Sequence, residues 1–267
     1  MDIKQVGRSF QIDGFCTSFP FAWDASFVFH GESHDFWEIV FLTDGMVEVT
    51  EDEKVYLLQK NNMILHAPME FHRIKSAGGT SPRGYIMSFH ALGRLPEELQ
   101  RGVFVPEAEQ GVQYAALCER IASFLAGTEQ SPCAGQEAAD CLSAFLIRLG
   151  GGQAHHQPDT SPAATEYRKL VKAMTAGVCD NKTLADFARE CNVSVSYIKQ
   201  LFRQYAGISP KAYYTTLRVR HAAALLDEGM SVAEIAERMN FSSSNYFSAF
   251  FKKHAGSMPS AYKKRLL

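Results

Sequence analysis

The feature that most constrains this chain is a duplication in its last hundred residues. "TLADFARECNVS" (183–194) recurs as "SVAEIAERMNFS" (231–242), offset by 48. "YIKQLFRQYAGISPKAY" (197–213) recurs as "YFSAFFKKHAGSMPSAY" (246–262), offset by 49, so one residue is inserted at the start of the second copy's later helix. Each copy reads as a short helix, a turn and a longer helix, then glycine and a proline-led helix start. That order predicts two helix-turn-helix units, at 183–206 and 231–255.

The pattern inside each copy is two-faced. Thr183 and Ser231 stand where a helix needs a cap, and Leu184, Phe187, Ala188 and Val232, Ile235, Ala236 supply apolar stripes. Asn192 and Asn240 suit a left-handed backbone at the turn. In the later helices Ile198, Leu201, Phe202 and Phe247, Phe250, Phe251 recur at helical spacing and are expected to face inward. Ser196, Lys199, Gln200 and Arg203 fall on the opposite face of the first, and Ser244, Asn245, Ser248 and Lys252 on that of the second. Amides suit adenine, lysine suits guanine, and serine reads weakly or meets phosphate. A solvated surface helix carries the same residue types, but matching caps and turns in two copies favour a DNA-reading face. Between the copies Ser209 and Pro210 open a helix running towards Gly229. At about 18 residues it spans roughly 27 Å, which suits two reading helices in successive major grooves with a ~34 Å repeat. Arg218 and Arg220 are expected either to meet phosphate or to pair with Glu228 or Asp186.

Charge agrees with this division. The chain holds 27 Lys and Arg against 29 Asp and Glu, but from Pro162 onward the counts are 16 and 8. A basic third on an acidic remainder fits a nucleic-acid-binding module joined to a separate one. The amino terminus lacks a signal-peptide core, no run approaches a membrane span, and the six cysteines form no C-x-x-C pair. The expectation is a cytoplasmic protein with reduced thiols and no membrane association.

Residues 10–90 carry short aromatic and β-branched runs, "FWEIVFL", "MVEVT", "KVYLL" and "YIMSF", at the spacing of an antiparallel sandwich or barrel. Two helical patterns follow. In "GVQYAALCERIASFLAG" the apolar positions are Val112, Ala115, Ala116, Leu117, Ile121, Phe124 and Leu125, and "GQEAADCLSAFLIRLG" repeats the period. Glycines, prolines and polar residues then mark a linker, in which His155 and His156 are a weak metal candidate. The expected domains are a barrel at 1–95, a helical hairpin at 96–150, a linker at 151–162 and a helical domain at 163–267. This is a two-domain α+β chain: an amino-terminal β-barrel with a helical hairpin, then an all-α domain whose two helix-turn-helix motifs are joined by a long helix.

Residues 163–267 resemble the DNA-binding domain of the AraC/XylS family of bacterial transcription regulators, on the segment "EIAERMNFSSSNYFSAFFKKHAGSMPSAYKK". Asn240 stands where glycine is usual, and Met258 where serine is usual before the proline. Residues 30–90 are similar to the cupin-like effector domain that often precedes it. "ESHDFWEIVFLTDG" has the cupin spacing with Glu32 in place of the first histidine, then His34, Glu38 and Gly45, while Pro68 and His72 resemble the second motif. The resemblance implies double-stranded DNA, RNA polymerase and a small-molecule effector such as a sugar as partners. It also implies activator function and homodimerisation through the 108–150 hairpin, unless that hairpin only covers its own barrel. Glu32, His34, Trp37, Glu38, His72 and Tyr85 are the expected effector-site residues. Glu32, His34, Glu38 and His72 also form a possible metal set, but the expectation is a regulator without cofactor and without catalysis. The rival readings are an effector-independent repressor and a metal-dependent cupin enzyme with a helical regulatory tail.

Overall fold

A computed structural model describes residues 7, 9–100, 102–129, 131–150, 154–156 and 158–264, with the side chains of 100, 154–156, 263 and 264 left aside. The chain divides into two compact units, 1–159 and 160–267.

The first unit is a two-sheet β structure. Its strands are β1 (Phe10–Ala22), β2 (Trp37–Asp44), β3 (Met46–Glu51), β4 (Lys54–Gln59), β5 (Met63–His66), β6 (His72–Ser76), β7 (Arg83–Gly93), β8 (Val103–Phe104) and β9 (Ala154–His156). One sheet runs β1-β7-β2-β5-β8-β9 and the other β4-β3-β6. Two helices, α1 (Ala108–Leu125) and α2 (Ala134–Gly150), cover the outer face of the larger sheet. This explains why "FWEIVFL" shows no polar alternation. Ile39 and Phe41 enter the core under the helices, while Val40 and Leu42 enter the core between the sheets, so β2 is buried on both sides. Gly45 joins β2 to β3 with φ of 76°, and a Cβ there would lie 2.7 Å from Pro82, so this turn requires glycine.

Two expectations change here. Residues 154–156, placed in the linker, pair with β8 at the sheet edge; a glycine-rich approach hides so short a strand. Their side chains, His155 and His156 included, lie outside the described residues. In α1 the buried face is Gly111, Tyr114, Leu117, Cys118 and Ile121. Val112, by contrast, is 71% exposed, and Phe124 and Leu125 are also exposed. Tyr114 and Cys118 recruit a helix face rotated from the simplest apolar stripe. All six cysteines are free thiols, as expected.

The second unit holds α3 (Pro162–Ala176), α4 (Leu184–Cys191), α5 (Val195–Tyr205), α6 (Pro210–Asp227), α7 (Val232–Arg238), α8 (Ser244–Ala255) and α9 (Pro259–Lys264). Thr183 and Ser231 cap α4 and α7 through reciprocal boxes with Asp186 and Glu234. Asn192 and Asn240 adopt left-handed φ of 57° and 53°, so Asn240 supplies the backbone that glycine would. Ser161–Pro162 opens α3 and Ser209–Pro210 opens α6 in the same way. The duplication therefore covers three helices per copy. α9 starts beyond Met258, whose carbonyl accepts from the Ala261 and Tyr262 N–H groups, and Tyr262 packs edge-on against Phe251 at 5.5 Å. No helix among the described residues is long and apolar enough to cross a membrane.

Candidate nucleic-acid interface and barrel site

Each helix-turn-helix presents its later helix, α5 or α8, in the same manner. Ser194 caps α5 by accepting from the Tyr197 N–H at 3.0 Å, and Ser243 caps α8 by accepting from Tyr246 at 3.1 Å. The cap serines are offset by 49 while the preceding helices are offset by 48. The inserted residue therefore lies in the turn, ahead of the later helix. Ile198, Leu201 and Phe202 are buried, as are Phe247 and Phe251, and Phe250 is half-buried beside Phe241. Burying a phenylalanine fully contributes roughly 1.5–3 kcal/mol, so these side chains fix which way each helix turns.

The opposite faces are open. Ser196, Lys199, Gln200, Arg203, Asn245 and Lys252 are exposed, and Ser244 and Ser248 are intermediate. Among the described residues none of these eight side chains holds a structural hydrogen bond or ion pair. Both α5 and α8 pack on α6.

Arg218 departs from both roles expected of it. It is buried, donates through Nη2 to the Met239 carbonyl at 2.7 Å, bonds Asn181, and lies 4.4 Å from the Phe241 ring centroid. Asn181 in turn donates to the Asn240 carbonyl, and Asn240 donates to the Cys179 carbonyl at 3.0 Å. Asp186 pairs with Arg189 at 3.4 Å instead of with either arginine of α6. A guanidinium in the core has no reach to phosphate; its fork holds backbone instead.

In the first unit, strand register gathers a polar group at one end of the space between the sheets. Glu38 pairs across strands with His66 in one sheet, Glu51 pairs with His72 in the other, and Glu32 bridges to His72. The His66 and His72 rings stack at 4.2 Å and 8°, and His34 meets His72 edge-on at 4.8 Å. His72 Nε2 lies 3.4 Å from Glu38 Oε1, and His34 Nε2 lies 4.0 Å from Glu38 Oε2. Burial pushes the Glu38 carboxyl up, but the facing imidazoles of His72, His66 and His34 outweigh it and hold the carboxyl below its usual range. For His72 burial acts to lower, Glu38 outweighs it, and the ring is raised. Burial and the neighbouring His72 lower His34 and, more strongly, His66. Burial raises both Glu51 and Glu70, with the Glu51 charge adding to the effect on Glu70.

Three overlapping sets of donors have ligand atoms within 4.8 Å of one another: Glu32–His34–His72, Glu38–His66–His72 and Glu51–His66–Glu70. Glu32, His34, Glu38 and His72 thus come together as expected. His66, Glu51 and Glu70 were missed, although alternation through "MILH" places His66 on the face of Ile64. Trp37 and Tyr85 do not join them. Side chains alternate along a strand, and these two sit with Phe89 and Phe41 on the outer, helix-covered face. There Tyr85 Oη donates to Glu119 at 3.3 Å. A groove of about 1020 Å³ also lies on that outer side, past Phe15, Phe124 and Ala139, apart from the polar group.

Comparison with known proteins fits both halves. Residues 15–171 match the AraC-like ligand binding domain family, and residues 187–265 match a helix-turn-helix domain family. The uncharacterized HTH-type transcriptional regulator YidL of Escherichia coli (strain K12) is 36% identical over 104 residues, 39% of this chain and 35% of that protein. The HTH-type transcriptional activator RhaR of Mannheimia succiniciproducens is 34% identical over 104 residues, 39% of this chain and 38% of that protein. A solved AraC-type regulator from Chromobacterium violaceum is 30% identical over 40% of this chain and 94% of its own, with a TM-score of 0.36. The alignments span between a third and two fifths of the two curated relatives' length. With the ligand-binding family matched over more than half of its residues and a helix-turn-helix domain following, the chain belongs to the AraC family of transcriptional regulators.

Proposed function

We propose that the protein is a sequence-specific DNA-binding transcriptional activator that responds to a small-molecule effector held in its amino-terminal barrel. The observation that carries the reading is the pair of unencumbered faces on α5 and α8, each backed by buried aromatics and aliphatics. Lys199, Gln200 and Asn245 read bases, while Ser196, Arg203, Ser244, Ser248 and Lys252 complete the contact to bases and phosphates. Activation is the direction named for the RhaR relatives, and RNA polymerase is the partner that direction requires. The protein works as a cytoplasmic homodimer, which doubles the half-sites on DNA. The effector is a sugar or similar polar metabolite contacting Glu32, His34, Glu38 and His72 at the polar end of the barrel, and no catalysis belongs to this reading.

The test is selection of binding sites by the full chain from a random duplex pool, followed by footprinting. The expected outcome is two sequence blocks about one helical turn, 10–10.5 base pairs, apart for each protomer. Affinity should fall steeply as salt is raised, because phosphate contacts release counterions. A pool that shows no enrichment, or a flat salt response, would falsify the reading.

A further inference from the structure

Along α6, Leu217, Arg220, His221 and Ala224 recur at i, i+3, i+4 and i+7 and share one stripe of the helix. With Thr175, Ala176, Val178 and Cys179 at the end of α3 and Arg238 in the last turn of α7, they line a pocket of about 460 Å³ within the second unit. Its charge is one-sided: two arginines and a histidine line it, and no Asp or Glu does. The His221 Nε2 is buried and has no hydrogen-bond partner, and among the described residues it joins no ion pair. Buried polar atoms are nearly always satisfied, so this nitrogen is open to a ligand. Arg238 is exposed, and among the described residues it pairs with no carboxylate. The first copy carries Glu190 in the matching place, 48 residues earlier, where it pairs with Lys182 at 2.9 Å. Asp180 and Glu228 act on Cys179 and His221 from outside the lining. Burial and the Arg238 charge lower His221 against the pull of Glu228, and an anion between the two cationic groups would offset that repulsion.

We infer that this pocket binds a phosphate-like oxyanion, held by the Arg238 guanidinium and the His221 Nε2 with Arg220 alongside. A planar guanidinium offers two parallel N–H groups to two oxygens, and the imidazole supplies a further donor. The apolar side chains of Val178, Leu217 and Ala176 form the rest of the lining, and its volume lies in the range of small-molecule sites. A free phosphate, the phosphate group of a metabolite and a phosphate of the DNA backbone share this chemistry. The lining joins the two copies, since α3 belongs to the first and α6 and α7 to the second. A bound anion would therefore tie the copies together beside Cys179, whose carbonyl already accepts from Asn240. The inference does not rest on base reading, because anion binding is measured without DNA.

The test titrates the full chain with inorganic phosphate by calorimetry, with ionic strength held constant by chloride. Saturable binding of one phosphate per chain is expected. Arg238→Gln should weaken it by about tenfold or more, the loss of a charge-assisted hydrogen bond. His221→Phe, which keeps a ring but removes the nitrogens, should weaken it by about three- to tenfold. Lys253→Gln, at an exposed cation of α8 outside the pocket, should leave it unchanged. Circular dichroism checks folding, and His221→Gln repeats the measurement if the phenylalanine variant does not fold. Repeating the titration with duplex DNA present separates the sources: phosphate retained beside DNA marks a free anion, and phosphate displaced by DNA marks the backbone, the site standing in both cases. Absence of saturable binding, or binding indifferent to either the Arg238 or the His221 substitution, would overturn the site.

Discussion

Lys169 in α3 and Arg218 in α6, one position apart when the copies are aligned at their 48-residue offset, each reach the turn of their own copy yet hold it differently. The Lys169 Nζ donates to the Cys191 carbonyl at the end of α4, 3.1 Å away, from a side chain 53% exposed. Arg218 donates to the equivalent Met239 carbonyl after α7, but from inside the core, where it also binds Asn181 and stacks on Phe241. The difference follows from the turns. The first copy passes through Val193 directly to its cap serine, whereas the second has Phe241 and the extra Ser242 before Ser243. A longer turn has more backbone to satisfy, and a planar fork reaches two acceptors while its face packs on an aromatic ring. The same fold element is thus closed by a surface cation in one copy and by a buried one in the other.

Truncating the aromatic anchors probes what the copies share. Phe202→Ala and Phe247→Ala, both at fully buried positions, should each destabilise the second unit by roughly 3–5 kcal/mol in urea unfolding. A much smaller loss in one would show that its copy is not held by its core. The reading faces come next: Lys199→Ala and Asn245→Ala should each weaken binding to a selected site by about 1–3 kcal/mol with unfolding unchanged. If discrimination among site variants stays intact in either, that residue does not read bases. The closing cations sharpen the contrast itself. Arg218→Met strands the Met239 carbonyl and Asn181, at a loss of about 1–3 kcal/mol, while Lys169→Met should stay within about 0.5 kcal/mol. Equal losses would erase the distinction between buried and surface closure.

The helical unit was legible because duplication supplies two samples of one pattern. Caps, left-handed asparagines and inward faces recur at fixed offsets, and the structure places them as read. Arg218 was not legible, since nothing in a local pattern separates a buried arginine from one aimed at phosphate. In the barrel, Glu38 and His72 were found through the resemblance to the cupin motifs, but His66 ends a short apolar run and reads as core. Trp37 and Tyr85 were grouped with them by residue type, although alternation against Glu38 separates them. The α1 face was misjudged because Tyr114 and Cys118 carry more of the packing than Val112.

On the proposed function, the bare outer sides of α5 and α8 separate what the protein recognises from what keeps it folded. Their side chains brace nothing, so a regulator built this way can exchange its target sites by substituting a handful of residues while its scaffold stays intact. New operators would then be reachable without passing through unfolded intermediates.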